Sequence, residues 1–119
     1  MTQVQLKRVY GPPETSDGAR VLVDRLWPRG LSKQRAHVDL WLKDLSPSNA
    51  LRRKAHADRG KWEDFVREYE TELTGAAAAE AVATLKNLIA KGPVTLLYAA
   101  HDEAQNNAVA LAKILNLRS

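Results

Sequence analysis

RVLVDRLWPRG occupies residues 20–30, and its first half is a run of aliphatic, largely β-branched residues closed by an acid. Val21, Leu22 and Val23 follow one another with no polar residue between them. Such a run suits a strand buried on both faces better than one with a wet side. Pro28 and Gly30 stop it. PVTLLYAA at 93–100 is a second run of the same kind. Fully buried strands belong to parallel sheets whose two faces are covered. The two stretches therefore predict an α/β domain: a small, mainly parallel sheet flanked by helices. In such sheets ligands bind at the carboxyl ends of the strands. Here those ends are followed by two unusually polar loops, DRLWPRG at 24–30 and HDEAQNN at 101–107.

The rest of the chain fits around this frame. VQLKRVY (4–10) reads as a first strand and GPPETSDGA (11–19) as a loop. Ser32 is placed to cap a short helical turn over 31–36. HVDLWLKDL (37–45) reads as strand or irregular structure, with a helical turn as the alternative. From Ser46 the pattern is helical, with Ser46 as cap, Pro47 at the first helical position and Gly60 as an interruption. Trp62, Phe65, Val66, Tyr69 and Leu73 fall on one face of an amphipathic helix that Gly75 ends. Val82, Leu85, Leu88 and Ile89 mark a further helix closed by Lys91 and Gly92. A last helix follows residue 101, with Ala108, Leu111, Ala112 and Leu115 facing the core.

Length and composition bound the answer. The 119 residues suit one domain, 1–119, and 45% apolar with 27% charged residues is ordinary for a globular protein. No apolar run approaches the ~20 residues that span a bilayer, so no membrane partner is expected. The amino terminus lacks the organisation of a signal peptide. There is no cysteine, hence no thiolate chemistry. A cytoplasmic protein is the simplest expectation. Charge is uneven: residues 20–61 carry eleven Lys/Arg against four acids, whereas residues 62–119 carry five against eight. The basic half points to an anionic partner (nucleic acid, nucleotide or phosphorylated metabolite) or else to a solvated helix surface.

Three groups carry candidate chemistry. Asp24 is either a general base or the partner of Arg25 or Arg29 in a bidentate pair, and the two arginines suit a phosphate or carboxylate. Trp27 reads as a packing anchor between an apolar strand and a proline. In the second loop, Asp102 has the place of an N-cap with Gln105 at the third helical position. Asn106 can point back to the strand ends, and His101 is the candidate acid/base, its ordinary pKa lying near ~6.5. The third group, Arg52, Arg53 and Lys54 with His56, Arg59 and Lys61, is a basic helix end suited to a phosphate backbone. Trp62 is its one aromatic, too few for the stacking positions of a single-strand binder. No phosphate-binding loop, dinucleotide fingerprint, HExxH or GxSxG occurs, and the sequence leaves any cofactor unknown. The three histidines, His37, His56 and His101, do not pair at ligand spacing, and no metal site is expected.

VYGPPETSDGARVLVDRLWPRGLSK, WLKDLSPSNALR, KWEDFVREY and GPVTLLYAAHDEAQNNAVAL together resemble the bacterial domain-of-unknown-function 488 (DUF488) family, in its YeaO-like branch. The likeness runs in order over most of the chain, and VLVDRLWPRG is its most specific block. It implies a small bacterial α/β domain and no established reaction. Branch members usually carry YAARDxxHNxA where this chain has YAAHDEAQNNA. His101 thus replaces an arginine, and Gln105 stands where histidine is frequent. KAHADRGKW likewise departs from a WFxHDP block, keeping only His56. The resemblance leaves Asp24, Arg25, Arg29, Asp102 and Asn106 as the shared core of any site.

The leading expectation is an anion site, for phosphate or a nucleotide, at the carboxyl edge of the sheet. Arg25 and Arg29 would grip, Asp24, Asp102 and Asn106 would orient, and His101 would serve as acid or base if the protein is an enzyme. The rivals are a nucleic-acid module using Arg52, Arg53 and Lys54, and a structural or partner-binding role.

Overall fold

Four strands, all parallel, form one sheet in the order β1-β4-β2-β3 in the computed structural model, which describes residues 4–57 and 61–117. The strands are β1 (Val4–Arg8), β2 (Ala19–Leu22), β3 (Leu40–Trp41) and β4 (Val94–Tyr98). The expected runs at 4–10, 20–24 and 93–100 all appear as strands, somewhat shortened. β4 is buried along its whole length and lies between β1 and β2. Val94 faces both Val4 and Ala19 in register, and Leu97 faces Lys7 and Leu22. The uncertain 37–45 stretch is the short β3 followed by a 3-10 turn, Lys43–Leu45.

Alternation along the strands splits the core in two. Val21 and Val23 of the β2 segment, with Leu96 and Tyr98 of β4, enter the larger cluster. Leu22 and Leu97, between them, enter the smaller one with Val9 and Ala36. The larger side is covered by α2 (Asn49–Ala57), α3 (Trp62–Glu72), α4 (Ala76–Lys91) and α5 (Asn107–Ile114). Opposite, α1 (Lys33–Ala36) is a single turn, capped by the Ser32 hydroxyl as expected. Beside it Trp27, Leu31, Val38 and Trp41 close the smaller cluster. Both faces of the sheet are therefore covered, but one of them mostly by loops. The reason lies in the connections: β1 passes to β2 through a loop with one 3-10 turn (Thr15–Asp17), while α2, α3 and α4 all lie between β3 and β4.

Two helix starts differ from expectation. α2 begins at Asn49, not Pro47, and Ser48 Oγ accepts from Leu51 N–H at 3.1 Å. Ser46 is engaged elsewhere, closing the preceding 3-10 turn with its hydroxyl donating to the Lys43 carbonyl. α5 begins at Asn107, with Asn106 as its cap in place of Asp102. Gly60 and Arg59 lie outside the described residues, as does the side chain of His56. No described helix is long and apolar enough to cross a membrane.

Candidate functional site

Because β2 and β4 are neighbours and parallel, their two polar loops meet at the carboxyl edge of the sheet. Between them is a cleft of about 780 Å³ that Asp24, Arg25, Arg29, His101, Asp102 and Asn106 all line. Small-molecule sites commonly enclose ~300–1,000 Å³. The residues expected at a site are thus brought together, but their partners are not those expected.

Asp24 pairs with neither arginine. Its Oδ2 accepts from Ala99 N–H at 2.9 Å, and its Oδ1 accepts from Asn107 Nδ2 at 2.9 Å. Trp41 Nε1 donates to its carbonyl at 2.7 Å. Burial pushes the Asp24 carboxyl above its ordinary range, against the opposing pull of the Asn107 and Ala99 hydrogen bonds and the Arg52 charge. Arg25 is half-buried and reaches the Pro47 carbonyl from Nε at 3.2 Å and, more weakly, the Ser46 carbonyl from Nη2 at 3.4 Å. The Asp–Arg clamp is therefore replaced by two separate ties: a carboxylate to the sheet edge, and a guanidinium to the segment before α2. The geometry gives the reason, since the sheet edge and α5 bring one donor to each carboxylate oxygen, Ala99 N–H to Oδ2 and Asn107 Nδ2 to Oδ1.

Arg29 is the contrasting residue. It is exposed, its carbonyl accepts from the Tyr10 hydroxyl at 2.9 Å, and its guanidinium has no partner among the described residues. Pro28 beside it is buried, and Gly30 after it has φ +77°, which aims the loop tip outward. Trp27 anchors the loop by donating to the Leu31 carbonyl at 2.6 Å and by meeting Trp41 edge-on, centroids 5.4 Å apart.

In the second loop, Asp102 Oδ1 accepts from the N–H groups of Ala104 and Gln105, both at 2.9 Å. That local turn occupies the carboxylate before α5 begins. The buried Asn106 then caps α5, its Oδ1 accepting from Val109 N–H and its Nδ2 donating to the Asp102 carbonyl, each at 2.9 Å. His101 is exposed, and among the described residues no carboxylate or carbonyl orients its ring. An acid/base pair needs such an orienting partner.

The basic helix end divides. Arg52 lines the cleft and donates to Asn49 Oδ1 at 3.1 Å. Arg53 and Lys54 are exposed and do not line it, and Lys54 pairs with Glu68 at 2.9 Å. Among the described residues no group of His, Asp and Glu is gathered for a metal.

The family described as "Inactive DUF488-N3 subclade" matches residues 3–118. The chain belongs to this family. It is 43% identical over 109 residues to the uncharacterized protein YeaO of Escherichia coli K12, covering 92% of this chain and 93% of that one. It is 38% identical over 117 residues to an uncharacterized protein of Mycobacterium tuberculosis H37Rv, covering 98% and 97%. No solved structure matches the chain.

Several cleft residues of this family member escaped sequence reasoning. Asn107 was hidden behind Asn106: two adjacent amides gave no sign that one caps the helix while the other holds Asp24. Tyr10 comes from the segment after β1, and Trp62 from the start of α3. Trp62 carried a signal, being an aromatic inside the basic stretch, but its helical spacing assigned it to the core.

Proposed function

We propose that the cleft at the carboxyl edge is a binding site for a small anionic ligand, and that its task is binding rather than turnover. The observation that carries this reading is Arg29: an exposed guanidinium with no partner among the described residues, on a loop tip stiffened by half-buried Trp27 and buried Pro28. Four cationic side chains (Arg25, Arg29, Arg52, Lys61) line the cleft against two carboxylates. A concave wall of one prevailing sign concentrates ligands of the other. Guanidinium is also the group best matched to phosphate and carboxylate oxygens.

The case against turnover rests on the same side chains. Asp24 has both oxygens engaged, Asn106 is spent on capping, and His101 has no orienting partner among the described residues. The description of the subclade as inactive agrees with this. The nucleic-acid alternative has less support, because Arg52 faces the cleft and Lys54 is paired with Glu68, which leaves only Arg53 of the three exposed and unpartnered among the described residues.

Calorimetric titration of inorganic phosphate, sugar phosphates and nucleotides into native protein and Arg29→Ala tests the reading. It expects at least one to bind the native protein unchanged in composition, and more weakly after the substitution. Equal affinity in both proteins, or none in either, refutes the site. Conversion of the bound compound refutes the restriction to binding.

A further inference from the structure

We infer that the ligand is a single nucleotide whose base stacks on Trp62 while its phosphate meets Arg29. The inference rests on the anion-binding reading above and adds the other half of the ligand. A bare inorganic anion has no use for apolar walls, yet this cleft has them. Tyr10 at 42% exposure and Leu26 at 64% are the large apolar side chains left exposed among the described residues, and both line it. Trp27, Trp62 and Phe65 line it as well. Apolar surface kept open around a few polar groups is the usual make-up of a ligand site, not of idle surface.

Trp62 is the residue built to receive a flat ring. It is half-buried and stacks on Phe65, with centroids 5.5 Å apart and planes 24° apart. Phe65 in turn packs on Tyr69 at 5.8 Å. Tyr69 is fully buried, and its hydroxyl donates to the Leu45 carbonyl. The three aromatics form a ladder fixed at its inner end, so its outer member is held in place before any ligand arrives. Stacking on such a rigid platform loses little side-chain freedom. A compound with both a flat apolar ring and a strongly anionic group matches the two features at once, and nucleoside phosphates are the common class that has both. One stacking platform at the outer end of the ladder and one cleft guanidinium unpartnered among the described residues fit one nucleotide. A strand needs successive platforms along a basic groove.

Titration of the common nucleoside 5′-monophosphates, the corresponding nucleosides and ribose 5-phosphate separates the halves. Native protein is expected to bind at least one monophosphate about tenfold or more tightly than ribose 5-phosphate, the loss typical of one missing base stack. Trp62→Leu should erase that advantage and leave ribose 5-phosphate binding unchanged, while Trp62→Phe retains most of it. Quenching of tryptophan fluorescence by the monophosphate should disappear in Trp62→Leu. Monophosphates binding no better than ribose 5-phosphate, or an advantage that survives Trp62→Leu, overturns the base platform while the anion site stands. Nucleosides binding as well as their monophosphates, with Arg29→Ala harmless, overturns the anion site instead. Binding of none of these compounds overturns both.

Discussion

Asn107 reaches back from the first turn of α5 to the end of β2, where its Nδ2 donates to Asp24 Oδ1 at 2.9 Å and to the Val23 carbonyl at 2.8 Å. With Ala99 N–H on the other carboxylate oxygen, one acid ties together β2, β4 and α5. The cleft is shaped by the ends of those elements, so its floor is held by an interaction no ligand needs to supply.

Removal of the Asn107 amide should therefore cost stability. Asn107→Ala is expected to lower the unfolding free energy by about 2 kcal/mol, the range for a hydrogen bond to a charged acceptor. Urea denaturation measures it, and a loss under half that size would mean that water replaces the amide freely. The pH dependence has a definite sign. Burial raises the Asp24 carboxyl despite its hydrogen bonds and the nearby Arg52, so the folded protein keeps this proton to higher pH than the unfolded chain. The resulting contribution is fully present below the ordinary value of 3.8 and is lost as pH rises through the raised folded value. Relative to Asp24→Asn, the native protein should lose stability across that window.

Asp17 should behave in the opposite way. It has no exposed surface, and burial alone would raise it, yet hydrogen bonds from Lys7, Glu14 N–H and Arg20 leave its carboxyl below the ordinary range. Its contribution is present above 3.8 and is lost as pH falls through the lowered folded value. Asp17→Asn leaves Arg20 buried without its acid and should cost about 3 kcal/mol at neutral pH. Chemical denaturation at neutral and acid pH should find this difference shrinking on acidification.

The two arginines of the first loop should separate by readout. Arg25→Ala removes donors to the Pro47 and Ser46 carbonyls and should cost about 1–2 kcal/mol of stability. Arg29→Ala removes no side-chain hydrogen bond to the described residues, so its melting temperature should stay within about 1 °C of native, a surface change being worth little. A destabilised Arg29→Ala would make that residue structural and remove the main support for the anion site.

Gly18 and Gly30 both have positive φ, +65° and +77°, but only one is crowded. A Cβ on Gly18 would lie 2.1 Å from the Pro93 carbonyl oxygen, where β2 starts beside β4. A Cβ on Gly30 would meet nothing within 4 Å. Gly30→Ala should cost about 1–2 kcal/mol from the left-handed backbone alone. Gly18→Ala adds a clash of the new Cβ with the Pro93 backbone carbonyl and should cost about 3 kcal/mol or more. Thermal melts of the two variants should fall in that order.

The α/β class, the parallel strands and the meeting of DRLWPRG with HDEAQNN could all be read from residue order. Burial periodicity is local, and runs such as VLV and VTLLY state it within a few positions. Partner choice is not local. Asp24 finds its donors 75 and 83 residues away, and only the adjacency of β2 and β4 puts Ala99 and Asn107 ahead of the neighbouring arginines. Residue order put the cap at Asp102; the turn at 102–105 uses that carboxylate and leaves the cap to Asn106. Helical spacing located Trp62 on an apolar stripe, but the fold brings the start of that stripe out to the cleft. Sequence alone thus determined which segments are buried and where their ends lead. The tertiary structure decided which donors meet which acceptors, because hydrogen bonds go to the groups that packing brings within about 3 Å.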